Sequence, residues 1–292
     1  MHAALADLVE LLTLERVESD LFLGRNEREG PARVFGGQVL AQALQAAAVT
    51  APDRPPHSLH AYFLRPGDPK RPILFEVERV RDGRSFGTRR VRAIQGGEPI
   101  FAMSASFHVR EDGLEHQAEP RDVPTPDRLE DDVLAARRLA GKDPNVMPWH
   151  ARERAFEVRS VFPPGVEPPK DPIKPAWFRA RSPLDGVDAE LVALHECLLA
   201  YLSDMGLMST SLVPHARSAP RDRIIGASLD HAMWFHRDLR VDDWILYDRD
   251  SPTSAASRGF NRGAFFTADG ALVASAAQES LIRLKRDRSS ES

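Results

Sequence analysis

Asp204 sits in the run Leu194-His195-Glu196-Cys197-Leu198-Leu199-Ala200-Tyr201-Leu202-Ser203-Asp204-Met205-Gly206-Leu207-Met208. Steps of three and four from it land on Cys197, Ala200, Tyr201 and Met208, which on a helix make one largely apolar face. A carboxylate held on such a face needs a partner or a displaced pKa, the condition of a general base. The alternative is a helix-end residue opened to water by fraying. Gln278 raises the same question on a strand. With period two, Leu272, Ala274, Ala276, Gln278 and Ile282 share a face, so an amide points where apolar side chains do. A neutral amide can hold a water or a carbonyl without altering the charge balance; a hydrogen-bonded core or edge glutamine is the plainer reading. Ser228 carries less, because simple alternation sets it opposite Ile225 and Leu229. Cys197 falls on the packed face of its helix and reads as an inert core thiol. His57 and His60 flank a strand start as possible bases or as its polar edge. Arg89, Arg90 and Arg92 suit either an acidic cofactor tail or a solvated strand face.

Other chemistries are excluded by what the chain lacks. It has no glycine-rich phosphate loop, dinucleotide fingerprint, His-Glu-x-x-His zinc motif or Gly-x-Ser-x-Gly elbow. Its single cysteine rules out an internal disulfide and a cysteine-based zinc site, and neither metal nor cofactor is expected. A formal net charge of -4 argues against bulk capture of nucleic acid. No apolar run approaches the roughly 18 residues of a membrane span. Asp7 and Glu10 interrupt the first leucines, unlike a secretory signal, and the final Ser290-Glu291-Ser292 is not a peroxisomal tripeptide. The expectation is a soluble, cytoplasmic protein.

The elements that must position these residues recur. His57-Ser58-Leu59-His60-Ala61-Tyr62-Phe63 is echoed by Ala227-Ser228-Leu229-Asp230-His231-Ala232-Met233-Trp234-Phe235, roughly 170 residues on. Gly83 to Arg89 is echoed by Ser257 to Gly263, and Gly97 to Ser106 by Asp269 to Gln278, with Ser106 opposite Gln278. A repeat this long is a duplicated domain, not a solenoid, and 292 residues is the size at which a single core splits. Leucine spacing predicts a short helix over Leu5–Leu14 and proline-free, alanine-rich sequence a helix over Gln38–Val49. Strands follow from His57 to Phe107, with turns at Pro66-Gly67-Asp68-Pro69, Asp82-Gly83 and Gly96-Gly97. Acidic, proline-rich sequence then reads as a linker with one helix at Leu129–Leu139. Strands at 156–161 and 176–180, a long helix over Ala189–Leu207 and strands from Ile224 to Leu284 complete the second half. Each half is one helix wrapped by antiparallel strands. The fold class is α+β, a double hotdog of two tandem antiparallel sheets around central helices. The halves are residues 1–115 and 151–292, joined by a linker at 116–150.

Val34-Phe35-Gly36-Gly37-Gln38-Val39, His57 to Asp68, Asp230 to His236 and Ser257-Arg258-Gly259-Phe260 together resemble the bacterial acyl-coenzyme A thioesterase II family over nearly the whole chain. The resemblance implies a double hotdog that hydrolyses fatty acyl-CoA. It implies a catalytic trio of aspartate, threonine or serine, and glutamine, which falls on Asp204, Ser228 and Gln278. The best-known bacterial pattern has threonine where this chain has Ser228; serine keeps the hydroxyl and loses a methyl. The implied mechanism is attack by a water held by Ser228 and Gln278, with Asp204 taking its proton and no acyl-enzyme forming. Backbone N–H groups at Gly36-Gly37 are expected to polarise the carbonyl, as an oxyanion site centred on Gly37. His57 and Arg258 are expected substrate contacts, Arg65 a further guess for CoA, and a homodimer or homotetramer is expected by analogy. The competing readings are a hotdog enoyl-CoA hydratase, for which no Asp/His pair stands at a loop-to-helix junction, and a non-catalytic acyl-CoA sensor.

Overall fold

Alanine at positions 41, 43, 46, 47 and 48 leaves little bulk around the first central helix, α2 (Gly36–Val49), and the chain exploits this by burying every side of it from Gly37 to Ala48. The computed structural model describes residues 1–27, 32–142, 151–163, 165–186, 192–216, 218 and 223–285. Helix α1 (Ala3–Leu12) precedes strands β1 (Glu15–Glu18) and β2 (Leu21–Gly24). After α2 come β3 (Pro56–Phe63), β4 (Ile73–Asp82), β5 (Phe86–Gln95) and β6 (Glu98–His108). Helix α3 (Asp132–Leu139) follows, within the segment read as a linker, and then β7 (Phe156–Ser160) and β8 (Ala176–Ala180). Helix α4 (Leu194–Ser203) leads into β9 (Ile224–Ser228), β10 (Asp230–Phe235), β11 (Ile245–Ala255), β12 (Arg258–Thr267) and β13 (Leu272–Leu284).

The two expected sheets are joined into one of 13 strands, ordered β1-β2-β4-β5-β6-β3-β10-β13-β12-β11-β8-β7, with β9 pairing a further stretch of β13. The seam is β3 against β10, with Ala61 opposite His231 and Leu59 opposite Met233. All of these pairings are antiparallel. Joining the halves here removes two strand edges that would otherwise expose unpaired backbone. Phe75, Phe101, Phe107, Leu59, Phe265 and Met233 point inward from the sheet on to the helices.

The two central helices pack on each other. Phe35 meets Tyr201 edge-on with ring centroids 5.0 Å apart, and Cys197 Sγ lies 3.4 Å from Gln45 Oε1. Close approach is steric in origin: a Cβ on Gly37 would lie 2.5 Å from the Tyr201 carbonyl oxygen. Helix α4 is shorter than its expected span of 189–207. Residues 189–191 lie outside the described residues, and Ala193 adopts a left-handed φ of 55° immediately before the first turn. At the other end Asp204 is the C-cap and Gly206, at φ 75°, turns the chain away.

Candidate active site

Ending α4 at Ser203 sets the Asp204 carboxylate just beyond the helix, in front of the first turn of α2. Asp204 is only 8% exposed, so fraying does not open it to water. Its Oδ2 accepts the Gly37 backbone N–H at 2.9 Å. Its Oδ1 accepts from Ser228 Oγ at 3.1 Å and from Gln278 Nε2 at 3.0 Å. Gln278 Nε2 also donates to Ser228 Oγ. A carboxylate at the C-terminus of a helix faces that helix's negative end, which disfavours it; here the positive end of α2 faces it in turn. Gly36 admits that geometry, since a Cβ there would lie 2.7 Å from Asp204 Oδ2.

The turn behind Asp204 is fastened from the sheet. Tyr247 on β11 donates its hydroxyl to the Ser203 carbonyl at 2.7 Å. Buried Arg249 donates to the Met205 carbonyl at 2.9 Å and to the Lys174 carbonyl at 2.8 Å. Burial pushes the Arg249 guanidinium below, and the Tyr247 phenol above, their ordinary pKa values.

Ser228 reaches the carboxylate through a slip in register. Ser280 pairs with Ser228 on β9, whereas Ala277 pairs with Ala232 on β10. The chain carries one extra residue between the two ladders, at Leu229, and a one-residue slip exchanges faces. Ser228 and His231, three apart, therefore both turn inward. Gln278 stands where β13 changes partners, on the inward face with Ala274 and Ala276, and is fully buried.

The trio of Asp204, Ser228 and Gln278 thus comes together, and Gly37 joins it. Gly37's N–H, which the sequence had offered to a substrate oxyanion, donates to Asp204 in this structure. His57 is elsewhere: half-buried, it pairs through Nε2 with Ser106 Oγ at 2.8 Å, beside His108 and Phe86. Burial, with His108 second, holds its pKa below the ordinary imidazole value. Ser106 faces away from the helices, so it does not occupy Gln278's place in the first half; the inward residues of β3 and β6 include Leu59, Ala61, Phe101, Met103, Ala105 and Phe107. Arg258 lies on the exposed face, paired with Glu279 at 2.8 Å. Arg65 pairs with Glu98 at 3.2 Å and donates to the Pro99 carbonyl at 2.7 Å, so its guanidinium is not among the groups that touch the trio. Arg89 is buried on Thr50 and Asp82, and Arg90 and Arg92 pair with Glu78 and Glu76 across β4. Cys197 is fully buried, which pushes its thiol well above the ordinary value and keeps it from acting as a nucleophile. Among the described residues no three histidine, cysteine or carboxylate side chains gather as metal ligands. No helix there is long and apolar enough to cross a membrane.

One polar neighbour escaped the sequence reading. His231 is fully buried, its Nε2 2.8 Å from Ser203 Oγ. Burial pushes its pKa below the ordinary value, against the pull of the Asp204 charge and the Gln278 amide. Period two does flag it: His231, Met233 and Phe235 share a face, and only the first is polar.

Helices sheathed by one long antiparallel sheet, repeated within the chain, define an α+β protein of the double-hotdog class. A hotdog-fold protein from Alicyclobacillus acidocaldarius superposes over 98% of the chain with a TM-score of 0.74 at 21% identity. Residues 26–108 match the family model for the acyl-CoA thioesterase N-terminal domain, and residues 171–281 match that for acyl-CoA thioesterase. The chain belongs to the acyl-CoA thioesterase family, a family of thioester hydrolases. It is 39% identical to acyl-coenzyme A thioesterase 8 of Homo sapiens, over 94% of this chain and 88% of that one. It is 38% identical to acyl-CoA thioesterase 2 of Haemophilus influenzae, over 97% and 99% respectively. The crystal structure of acyl-CoA thioesterase II TesB2 from Mycobacterium marinum aligns with a TM-score of 0.78 at 40% identity, covering 95% of this chain and 98% of that one.

Proposed function

We propose that this protein hydrolyses medium- to long-chain fatty acyl-CoA to free fatty acid and CoA by direct attack of water, with Asp204 as base. The observation carrying the reading is a nearly buried carboxylate that a serine hydroxyl, a glutamine amide and a backbone N–H all address. Three donors fix its oxygens in direction, which is what a positioned base requires. A thioester carbonyl is already electrophilic, so orientation of water supplies most of what the step needs. Water takes the place of the direct Gln278–Ser228 contact, held by the Gln278 Nε2 amide and the Ser228 hydroxyl, and gives its proton to Asp204 as its oxygen bonds to the carbonyl carbon. The tetrahedral oxyanion then collapses with cleavage of the C–S bond. The proton on Asp204 passes to the departing sulfur, leaving carboxylic acid and thiol, and no bond to the enzyme forms. Ser228 acts as a water ligand in this scheme, its hydroxyl held in direction by Asp204.

The reading extends to the division into halves at 1–115 and 151–292, to a homo-oligomer and to a cytoplasmic location. Light scattering on the purified chain tests the oligomer. The activity is tested by thiol release from acyl-CoAs of rising length, acetyl to stearoyl. A maximum at medium or long chains is expected; no release at any length sinks the proposal. Quenched single turnovers examined by intact mass separate the mechanisms, since an acyl adduct on Ser228 would exclude direct attack.

A further inference from the structure

Gln278 is an asymmetric side chain, and its task depends on which end faces Asp204. Its nitrogen faces Asp204 Oδ1 and Ser228 Oγ. Its oxygen, Oε1, is buried and has no hydrogen-bond partner of ordinary geometry. His231 Nδ1 is in the same condition. The two residues are cross-strand neighbours: Ala232 pairs with Ala277, so the next rung of the same ladder sets His231 against Gln278. Both are inward-facing and fully buried, so water does not serve either atom. We propose, building on the catalytic reading of the trio, that His231 is a positioning residue whose Nδ1–H donates to Gln278 Oε1 and holds the amide nitrogen on Asp204 and Ser228.

The hydrogen-bond inventory selects the tautomer. Gln278 Oε1 can only accept, so the ring must present a proton at Nδ1. Ser203 Oγ sits 2.8 Å from Nε2 and 2.7 Å from the Ala200 carbonyl, so its single proton serves one or the other. When it turns to Nε2, the neutral Nδ1–H ring satisfies every atom. The opposite tautomer would leave the Nδ1 lone pair facing Oε1, two acceptors in a dry space. Burial favours the neutral ring in either case. The first half of the chain supplies an internal comparison. Its inward residues on β3 and β6 are all apolar, so the fold does not need a histidine and a glutamine on this rung.

Two substitutions divide the ring's functions. In His231→Asn the amide nitrogen reaches the place of Nδ1, and in His231→Gln it reaches the place of Nε2. His231→Asn is expected to keep kcat within about threefold. His231→Gln should lower it roughly tenfold to a hundredfold, the range for leaving one buried polar atom unsatisfied, with KM little changed. The double variant His231→Gln/Gln278→Ala should be no slower than Gln278→Ala alone. Wild-type kcat in His231→Gln beside a slow Gln278→Ala, or losses that multiply in the double variant, would overturn the proposal. Nitrogen-15 spectra of the imidazole in the wild-type protein give a second readout that needs no variant. A neutral Nδ1–H ring is expected, and an Nε2–H ring refutes the contact. If Gln278→Ala is as fast as wild type, the trio's catalytic role fails, and the imidazole spectrum still decides the contact.

Discussion

Replacing Asp204 by asparagine keeps the shape of the side chain while removing its charge and one of its two acceptor oxygens. With the amide oxygen toward Ser228 and Gln278, the new NH2 group confronts the Gly37 N–H, donor against donor. With the amide reversed, NH2 confronts Gln278 Nε2, and only Ser228 can adapt by turning its hydroxyl. Either way one of the three contacts at 2.9–3.1 Å is lost. A buried donor left unsatisfied costs about 1–3 kcal/mol. At roughly 2–4 °C per kcal/mol for a chain of this size, the melting temperature should fall by about 2–12 °C. A loss of that size against the usual reserve of about 5–15 kcal/mol leaves nearly all molecules folded at 25 °C. Turnover should respond more sharply. Loss of a positioned base slows a reaction by about 10²–10⁴-fold, equivalent to roughly 2.7–5.4 kcal/mol of barrier at 1.36 kcal/mol per decade. The assay is thiol release at saturating acyl-CoA, run beside a thermal melt of the same sample. A variant with lowered melting temperature and kcat within threefold of wild type would make Asp204 a structural cap and refute the mechanism.

Ser228→Ala removes a donor to Asp204 and an acceptor for Gln278, so kcat should drop about 10–100-fold, as for other hydrogen bonds to a charged group; Ser228→Thr, keeping the hydroxyl, should stay within several-fold, and equal rates in Ser228→Ala and wild type would remove Ser228 from the site. Gly37→Ala places a Cβ 2.5 Å from the Tyr201 carbonyl oxygen and from the Phe35 ring, so α2 must retreat from α4; a stability loss of about 1–3 kcal/mol by denaturant titration is expected, together with slower turnover, and an unchanged protein would contradict the packing described. Acid should destabilise the fold through its histidines. His57 and His231 have folded pKa values below the ordinary 6.5, so the unfolded chain binds more protons under that pH. Stability is therefore fully present above 6.5 and falls as pH drops toward the folded values, by at most about 1.4 kcal/mol per pH unit from buried His231, with half-buried His57 adding less. Denaturant midpoints at pH 7 and pH 5.5 test the sign, and a higher midpoint at the lower pH would contradict it.

Asp204 and Gln278 were legible because each breaks an apolar period on its own element, and a period needs no knowledge of the rest of the molecule. The first central helix was legible from its alanine-rich, proline-free composition and the strands of 57–107 from their alternation, whereas β1 and β2 went unread and the strands of 224–284 were read only as one set. What the sequence withheld depends on contacts between distant segments. The N–H of Gly37 has no signature, because any residue would supply it; only the approach of α2 to α4 turns it toward Asp204. The register slip at Leu229 is similarly hidden. Alternation counted along β9 alone places Ser228 correctly opposite exposed Ile225, yet gives no hint that His231 shares its face. The echo that aligned Ser106 with Gln278 matched letters across strands whose inward phases differ, and so put an outward serine opposite an inward amide. The pairing of β3 with β10, which makes one sheet of two, joins residues about 170 apart and is a property of two edges, each unremarkable alone.

These hidden contacts also explain why the duplication is lopsided. The second half supplies Asp204, Ser228, Gln278 and His231, all grouped around the end of one helix. Among the described residues the first half donates no side-chain hydrogen bond to that group, and it keeps its own corresponding rung apolar. Its contribution is the start of α2: two residues without side chains, an N–H, and the positive end of a helix dipole. A negative charge at the C-terminus of α4 is in the wrong place by the rules of that helix, and becomes tenable because the other copy's helix begins opposite it. Each copy could therefore specialise, one retaining polar groups in its core and the other retaining only the glycines that let it come close.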